Sequence, residues 1–347
     1  MVNSKDIGLT RAKQFMEEGK LEEALRLLNE FGDKKNTSFY NQISYYILRS
    51  SLYLYFFQLT EHLNYAEKAY QNSQDLEKSL QLLDVYIQMA MALSYWYKSE
   101  ESFGFIVRAE KLLKFLTGVP SAELMERKAS IFHLKGWFYI DHGETEKALK
   151  FARKSLEIRE ELNFKADIGI SLWQIAWVYF TEENDLALKY VDQCLIHCEK
   201  ITYKKLIQRC TWLKGFIYLI KGELDQAIGF IEHCKILFEE LPKEMKDKRG
   251  FAQLLHLIGS IYLEKNDLDK AKENLEKALK IKTEIGSNPM KMVTLDSLIP
   301  LALTQNDLKK ARDYLKDMKR ISDQEENEFL NSIYHLNKAI ILKLNPI

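Results

Sequence analysis

The chain has 347 residues, 46% of them apolar and 29% charged, and its fifty basic and fifty acidic side chains cancel. A neutral, intermixed surface excludes general binding to nucleic acid or to anionic membranes, both of which need a basic face. Five prolines and fourteen glycines favour helices over turn-rich β structure.

Taken from its start, the polar segment MVNSKDIGLT has no apolar run, so no secretory signal is expected. The apolar stretch from Ile43 to Leu59 is interrupted by Arg49, Ser50, Ser51 and Gln58. It reads as a buried helix, not a membrane span, which takes about 20 apolar residues. The stretch IGISLWQIAWVYFT, Ile168 to Thr181, carries no formal charge over fourteen residues and is likewise a buried helix. The four cysteines, Cys194, Cys198, Cys210 and Cys234, are expected to be reduced thiols in a cytoplasmic protein.

A repeat of about forty residues runs through the chain. Segments of the form small-polar-turn-Ala place Ala148, Ala187, Ala227, Ala271 and Ala311 at spacings of 39, 40, 44 and 40. Ala24 and Ala66 stand 42 apart, and the gap of 82 from Ala66 to Ala148 leaves room for a degenerate copy around Ser102 to Ala109. About twelve residues before each alanine comes a second small residue, with an aromatic three later in the better copies. These pairs are Ala92/Tyr95, Gly136/Tyr139, Ala176/Tyr179, Gly215/Tyr218 and Gly259/Tyr262. Each unit is therefore a helix A, a turn such as HGET, KGEL or KNDL, and a helix B. Gly, Asn and Asp in the turn supply a left-handed C-cap and then an N-cap.

The stretch HLIGSIYLEKNDLDKAKENLEKALKI, His256 to Ile281, resembles the tetratricopeptide repeat family most closely, through Gly259, Tyr262, Ala271, Leu275 and Ala278. The resemblance covers nearly the whole chain and implies an all-α, right-handed superhelical solenoid of about eight helix-turn-helix repeats. Approximate repeats are 5–36, 37–77, 78–120, 121–163, 164–202, 203–244, 245–286 and 287–322, followed by a capping helix at 324–344 in a single solenoid over 1–347. The period near 40 exceeds the family's usual 34, as in its extended variants. Pro120, Pro242 and Pro289 fall between units, while Pro300 falls inside a helix A and is expected to kink or shorten it.

With the small residue of helix A at zero and 100° per residue, positions −4, −1, 0 and +3 face helix B, and the five tryptophans project beside that face. Trp173 and Trp212 fall at about 60°, Trp137 and Trp177 at about 100°, and Trp96 at about 40°. In the tetratricopeptide family these positions line the concave groove. Tyr86, Met89, His133, Phe180, Arg209, Phe216 and His256 are expected to join the tryptophans there, with the three polar ones as selectors. The repeated Lys and Asn with which chaperone-binding members clamp a terminal carboxylate are missing, so a chaperone-cofactor role is not expected. Packing between successive A helices is the alternative for the tryptophans.

The cysteines and neighbouring His197 and His233 do not follow metal-ligand spacing and read as structural. No phosphate loop, GxSxG elbow or HExxH helix occurs. The expectation is a non-catalytic, cofactor-free scaffold or adaptor that binds an apolar or aromatic-anchored peptide or helix in a Trp-rich groove. The alternative is a ligand- or peptide-sensing regulator whose superhelix changes pitch on binding. Neither reading names the partner or the oligomeric state.

Overall fold

The computed structural model describes residues 4–32, 38–96, 98–180, 182–325 and 327–344. The expected break between the first two repeats, at 36/37, lies outside them. Among the described residues there are seventeen α-helices, one 3-10 turn and no strand. The helices are α1 (Ser4–Glu17), α2 (Leu21–Gly32), α3 (Phe39–Tyr55), α4 (Leu59–Gln71), α5 (Leu80–Tyr95), α6 (Ser99–Phe115), α7 (Ser121–Asp141), α8 (Thr145–Glu161) and α9 (Lys165–Phe180). They continue as α10 (Asn184–Lys200), α11 (Lys204–Ile220), α12 (Leu224–Glu240), α13 (Lys248–Glu264), α14 (Leu268–Ile285), α15 (Asn288–Thr304), α16 (Leu308–Gln324) and α17 (Glu328–Leu344). Taken in pairs they make eight antiparallel hairpins and one closing helix, as the repeat pattern predicts.

The turns show why the pattern is so regular. Gly143 and Gly222 adopt φ of 67° and 73°, and Asn266 and Asn306 adopt 60° and 58°, the left-handed conformation that ends an α-helix. The next amide then reaches back five residues, from Glu144, Glu223 and Asp267 to the carbonyls of Tyr139, Tyr218 and Tyr262, each at 2.9 Å. Asp267 and Asp307 finish the job by accepting from the amides of Lys270 and Lys310 at 3.3 and 2.9 Å, capping α14 and α16. Behind seven of the turns the early alanine of helix B is fully buried, from Ala24 through Ala311, and in α6 the buried Ser102 takes its place. The side chain that a larger residue would place there has no room between the two backbones.

Two compact units divide the chain, Met1–Cys210 and Thr211–Ile347, with the boundary inside α11. In the first unit each odd-numbered helix packs on its odd-numbered neighbours, and α1 also packs on α9. The five inner helices α1, α3, α5, α7 and α9 therefore form a closed ring, with the even-numbered helices outside it. In the second unit α17 packs on α15 and α16, burying Leu330, Tyr334 and Ile341 with Met292, Leu295 and Ile299, so it does cap the last hairpin. Asn337 donates from Nδ2 to Asp296 Oδ1 at 2.6 Å and ties it to α15. Pro300 does not shorten α15, which has seventeen residues like α16. The proline lies in the last turns, where a single backbone bond is lost. No helix among the described residues is long and apolar enough to cross a membrane.

Candidate ligand-binding site

The ring of inner helices in the first unit encloses a cavity of about 430 Å³. It is closed by bonds between helices far apart in sequence. Lys13 Nζ on α1 lies 3.0 Å from Glu126 Oε2 on α7, and Tyr55 at the end of α3 donates to Asp167 Oδ2 on α9 at 3.0 Å. Tyr203, almost fully buried before α11, donates to the Tyr55 carbonyl at 2.8 Å. The first hairpin is thereby held against the fourth, and the second against the fifth.

Charged side chains line the cavity. Arg127 Nη2 meets Asp84 Oδ2 at 2.7 Å, and its Nη1 meets Glu126 Oε2 at 3.3 Å. Arg159 Nη1 donates to Ser171 Oγ at 2.6 Å, while its Nη2 lies 3.5 Å from Asp167 Oδ1. Burial raises the carboxyls of Asp84 and Asp167 above their ordinary range against the pull of Arg127 and Arg159. Glu17 is raised too, by burial first, and Lys13 lowers it only in part. Burial pulls the Lys13 ammonium down, but the adjacent Glu126 carboxylate outweighs it and leaves Lys13 above its usual value. Burial and then Asp167 push the Tyr55 phenol far up, and burial carries Tyr95 to about 12. Such charges persist inside a protein only because each is paired, since an isolated buried charge is prohibitively costly.

One end of the cavity is aromatic. Phe57, Tyr95 and His133 line it, and behind them the rings of Trp137, Trp173, Trp177 and Phe180 follow one another at centroid spacings of 5.6, 5.6 and 5.5 Å. Trp137 donates from Nε1 to His133 Nε2 at 3.0 Å, which leaves the proton of the neutral imidazole on Nδ1. Burial, with Arg159 adding to it, holds His133 far below its usual pKa, so it is neutral. The edge of Phe57 meets Trp173 with centroids 6.0 Å apart, and the Arg209 guanidinium lies 3.9 Å from the Phe57 centroid and 4.7 Å from that of Trp173. Trp173 is consequently only 3% exposed. Phe57 holds this position at a φ of 55°, a left-handed conformation that a bulky residue adopts at a cost.

Six of the twelve expected site residues, His133, Trp137, Trp173, Trp177, Phe180 and Arg209, thus come together, though His133 is the one among them that lines the cavity. Trp212 and Phe216, 5.4 Å apart, belong to the second unit, as does His256, which burial and then Lys282 lower to about 3. Two residues of α5 and the Trp96 that caps it depart from expectation. Met89 is buried with Ala66, Ala92 and Leu93 against Leu63 and Tyr70, Tyr86 leans toward Phe105 of α6 at 6.1 Å, and Trp96 ends the helix with Nε1 3.4 Å from the Leu59 carbonyl. The physical reason is register. Gly136, Gly215 and Gly259 each stand nine residues before helix B begins (145 − 136, 224 − 215, 268 − 259), and in this copy that residue is Ala90, not Ala92 (99 − 90). Shifted by two, Met89 and Tyr86 fall on the face turned to the outer helices, while Asp84 and Ile87 turn inward to line the cavity.

The charged lining, Lys13, Glu17, Asp84, Glu126, Arg127, Arg159 and Asp167, was not foreseen. Its signal is charge on the inward positions of A helices, six and nine residues before the small residue in the case of Asp84, Arg127 and Asp167. The thiols do not join it. Cys194 Sγ lies 3.8 Å from Cys198 Sγ and 3.3 Å from Cys210 Sγ, all three fully buried, and it donates to the Gly169 carbonyl. No cluster of His, Cys, Asp or Glu suited to hold a metal ion occurs among the described residues.

The tetratricopeptide repeat family model matches residues 129–162 and 252–284, that is α7 with α8 and α13 with α14. None of the curated proteins matches the chain in sequence. Solved structures share its fold at low identity. A Rap protein complexed with competence and sporulation factor is 15% identical with a TM-score of 0.64, over 98% of this chain and 99% of that one. NprR in complex with its cognate peptide NprX is 14% identical with a TM-score of 0.64, over 89% of this chain and 86% of that one. The apo form of the quorum sensor NprR from B. thuringiensis is 17% identical with a TM-score of 0.61, over 86% and 80%.

Proposed function

We propose that this chain, which carries tetratricopeptide repeats, is a non-catalytic regulator that binds a short peptide inside the ring of inner helices of its first unit. The observation that carries the reading is the ring itself. Five helices that could have opened a broad groove instead surround a cavity of about 430 Å³. That volume falls in the range of about 300–1,000 Å³ usual for ligand sites. Of the proteins of similar fold, NprR is in complex with its cognate peptide and the Rap protein with competence and sporulation factor, which supports a peptide as the class of occupant. The aromatic wall then serves the cavity more than it offers a surface for a partner helix, because Phe57 and Arg209 cover Trp173. A cytoplasmic setting fits the four buried cysteines, which form no disulfide among the described residues.

The test is affinity selection. A pool of pentapeptides randomised at every position is incubated with the full chain, and retained species are read by mass spectrometry after ultrafiltration. Ser130→Trp, on the cavity side of α7, fills the space. The expected result is a defined set of retained peptides with wild type and loss of that set with Ser130→Trp, the helical circular dichroism unchanged. No retained peptide with wild type overturns the proposal.

A further inference from the structure

Four carboxylates, Glu17, Asp84, Glu126 and Asp167, line the cavity with three bases, Lys13, Arg127 and Arg159. Every base is already engaged. Lys13 is shared between Glu126 at 3.0 Å and Glu17 at 3.6 Å, Arg127 between Asp84 at 2.7 Å and Glu126 at 3.3 Å, and Arg159 attends Asp167. Two cations therefore serve three carboxylates at the Glu17, Glu126 and Asp84 end, and Glu17 holds the longest of these contacts. The enclosure is one positive charge short.

A second, separate feature is a set of polar atoms without a hydrogen-bond partner in the protein. Arg127, 7% exposed, lines the cavity from α7 with its Nε unpartnered. A guanidinium nitrogen is a donor only. Gln88 Oε1, on the opposing α5, is likewise buried and unpartnered. A buried donor left unmade costs the desolvation of that group, a cost that a ligand or water accepting from it removes.

Resting on the peptide reading above, we infer that the cavity recognises a free amino terminus, its ammonium completing the charge at Glu17 and Glu126 and its first carbonyl accepting from Arg127 Nε on α7. An ammonium brings three donors and the missing charge in one group. An adjacent carbonyl follows it within the same residue, so a single amino-terminal residue meets both demands. A free amino acid carries the same pair of groups, and the test separates the two sources.

The full chain is challenged with three probes: the free-amine pentapeptide pool, the same pool acetylated at its amino termini, and an equimolar mixture of the twenty free amino acids. The inference expects retention of the free-amine pool and about tenfold weaker retention of the acetylated one, the size of a lost charge-assisted hydrogen bond. Glu17→Gln removes the charge with little change of shape at a side chain that is one-third exposed. It should cut free-amine retention by a similar factor of about ten while leaving acetylated retention unchanged. Equal retention of both pools overturns the amino-terminus inference and leaves peptide binding standing. Retention of free amino acids alone upholds the recognition chemistry and overturns the peptide reading. If none of the three is retained, both fail.

Discussion

At the residue scale, His62 shows how a single buried group sets a pH limit. It is fully buried at the start of α4, with Nδ1 2.7 Å from Ser50 Oγ and 3.0 Å from the Ser50 carbonyl. Burial lowers its pKa from 6.5 to about 4. As pH falls, the unfolded chain takes up the proton first. The stability that the neutral imidazole contributes is therefore complete above about pH 6.5 and is lost progressively toward pH 4. The loss amounts to about 2 kcal/mol between pH 7 and pH 5. His256, lowered to about 3, acts in the same direction in the second unit. We expect the urea midpoint of wild type to fall more steeply over that interval than that of His62→Gln, whatever the variant loses at neutral pH. Identical slopes would contradict the assignment. Ser50 itself was passed over in the sequence as an interruption of an apolar run. In fact it is the small residue of its repeat, nine before α4 begins (59 − 50), and its hydroxyl donates to the His62 carbonyl and lies against Nδ1 of the same residue.

Between helices, the small residue of helix A decides how closely a pair approaches. A Cβ added at Gly259 in α13 would lie 2.6 Å from Leu275 Cγ and 3.1 Å from the Leu275 backbone nitrogen in α14, so the backbone cannot yield. Gly229 in α12 has nothing within 4 Å of the same atom. Gly259→Ala should therefore destabilise by about 1–3 kcal/mol of overpacking, less up to about 1 kcal/mol of regained helix propensity. Gly229→Ala should stabilise by about 0.5–1 kcal/mol, both read from urea midpoints. Opposite signs are the result to look for; two changes of one sign would remove the packing argument. This spacing of small residue, left-handed turn and alanine is also why the hairpins were legible from the chain alone. Legibility ended where two small residues compete. In the segment QMAMALSY, Ala90 and Ala92 are equally plausible, and composition cannot choose between them. The start of α6 chooses Ala90, which moves Met89 and Tyr86 off the inner face.

Within the whole molecule, the decisive event is closure of the first unit, and it leaves little trace in the sequence. Lys13 and Glu126 are 113 residues apart, Tyr55 and Asp167 112, and Tyr203 and Tyr55 148. No local pattern pairs them, since they meet only because five successive hairpins turn α1 back onto α9. The uncharged stretch from Ile168 within α9 drew attention to its tryptophans, whereas seven of the residues that line the cavity are charged and look like ordinary solvated positions when read singly. The rings of Trp137, Trp173, Trp177 and Phe180 stand together, behind the cavity and not among its lining residues. The most direct measurement is hydrogen–deuterium exchange on the full chain with and without the peptides retained from the free-amine pool. The account predicts slowed exchange in α1, α5, α7 and α9 and no change in α13 to α16. Protection confined to the helices of the second unit, or none in the inner helices of the first, would contradict it.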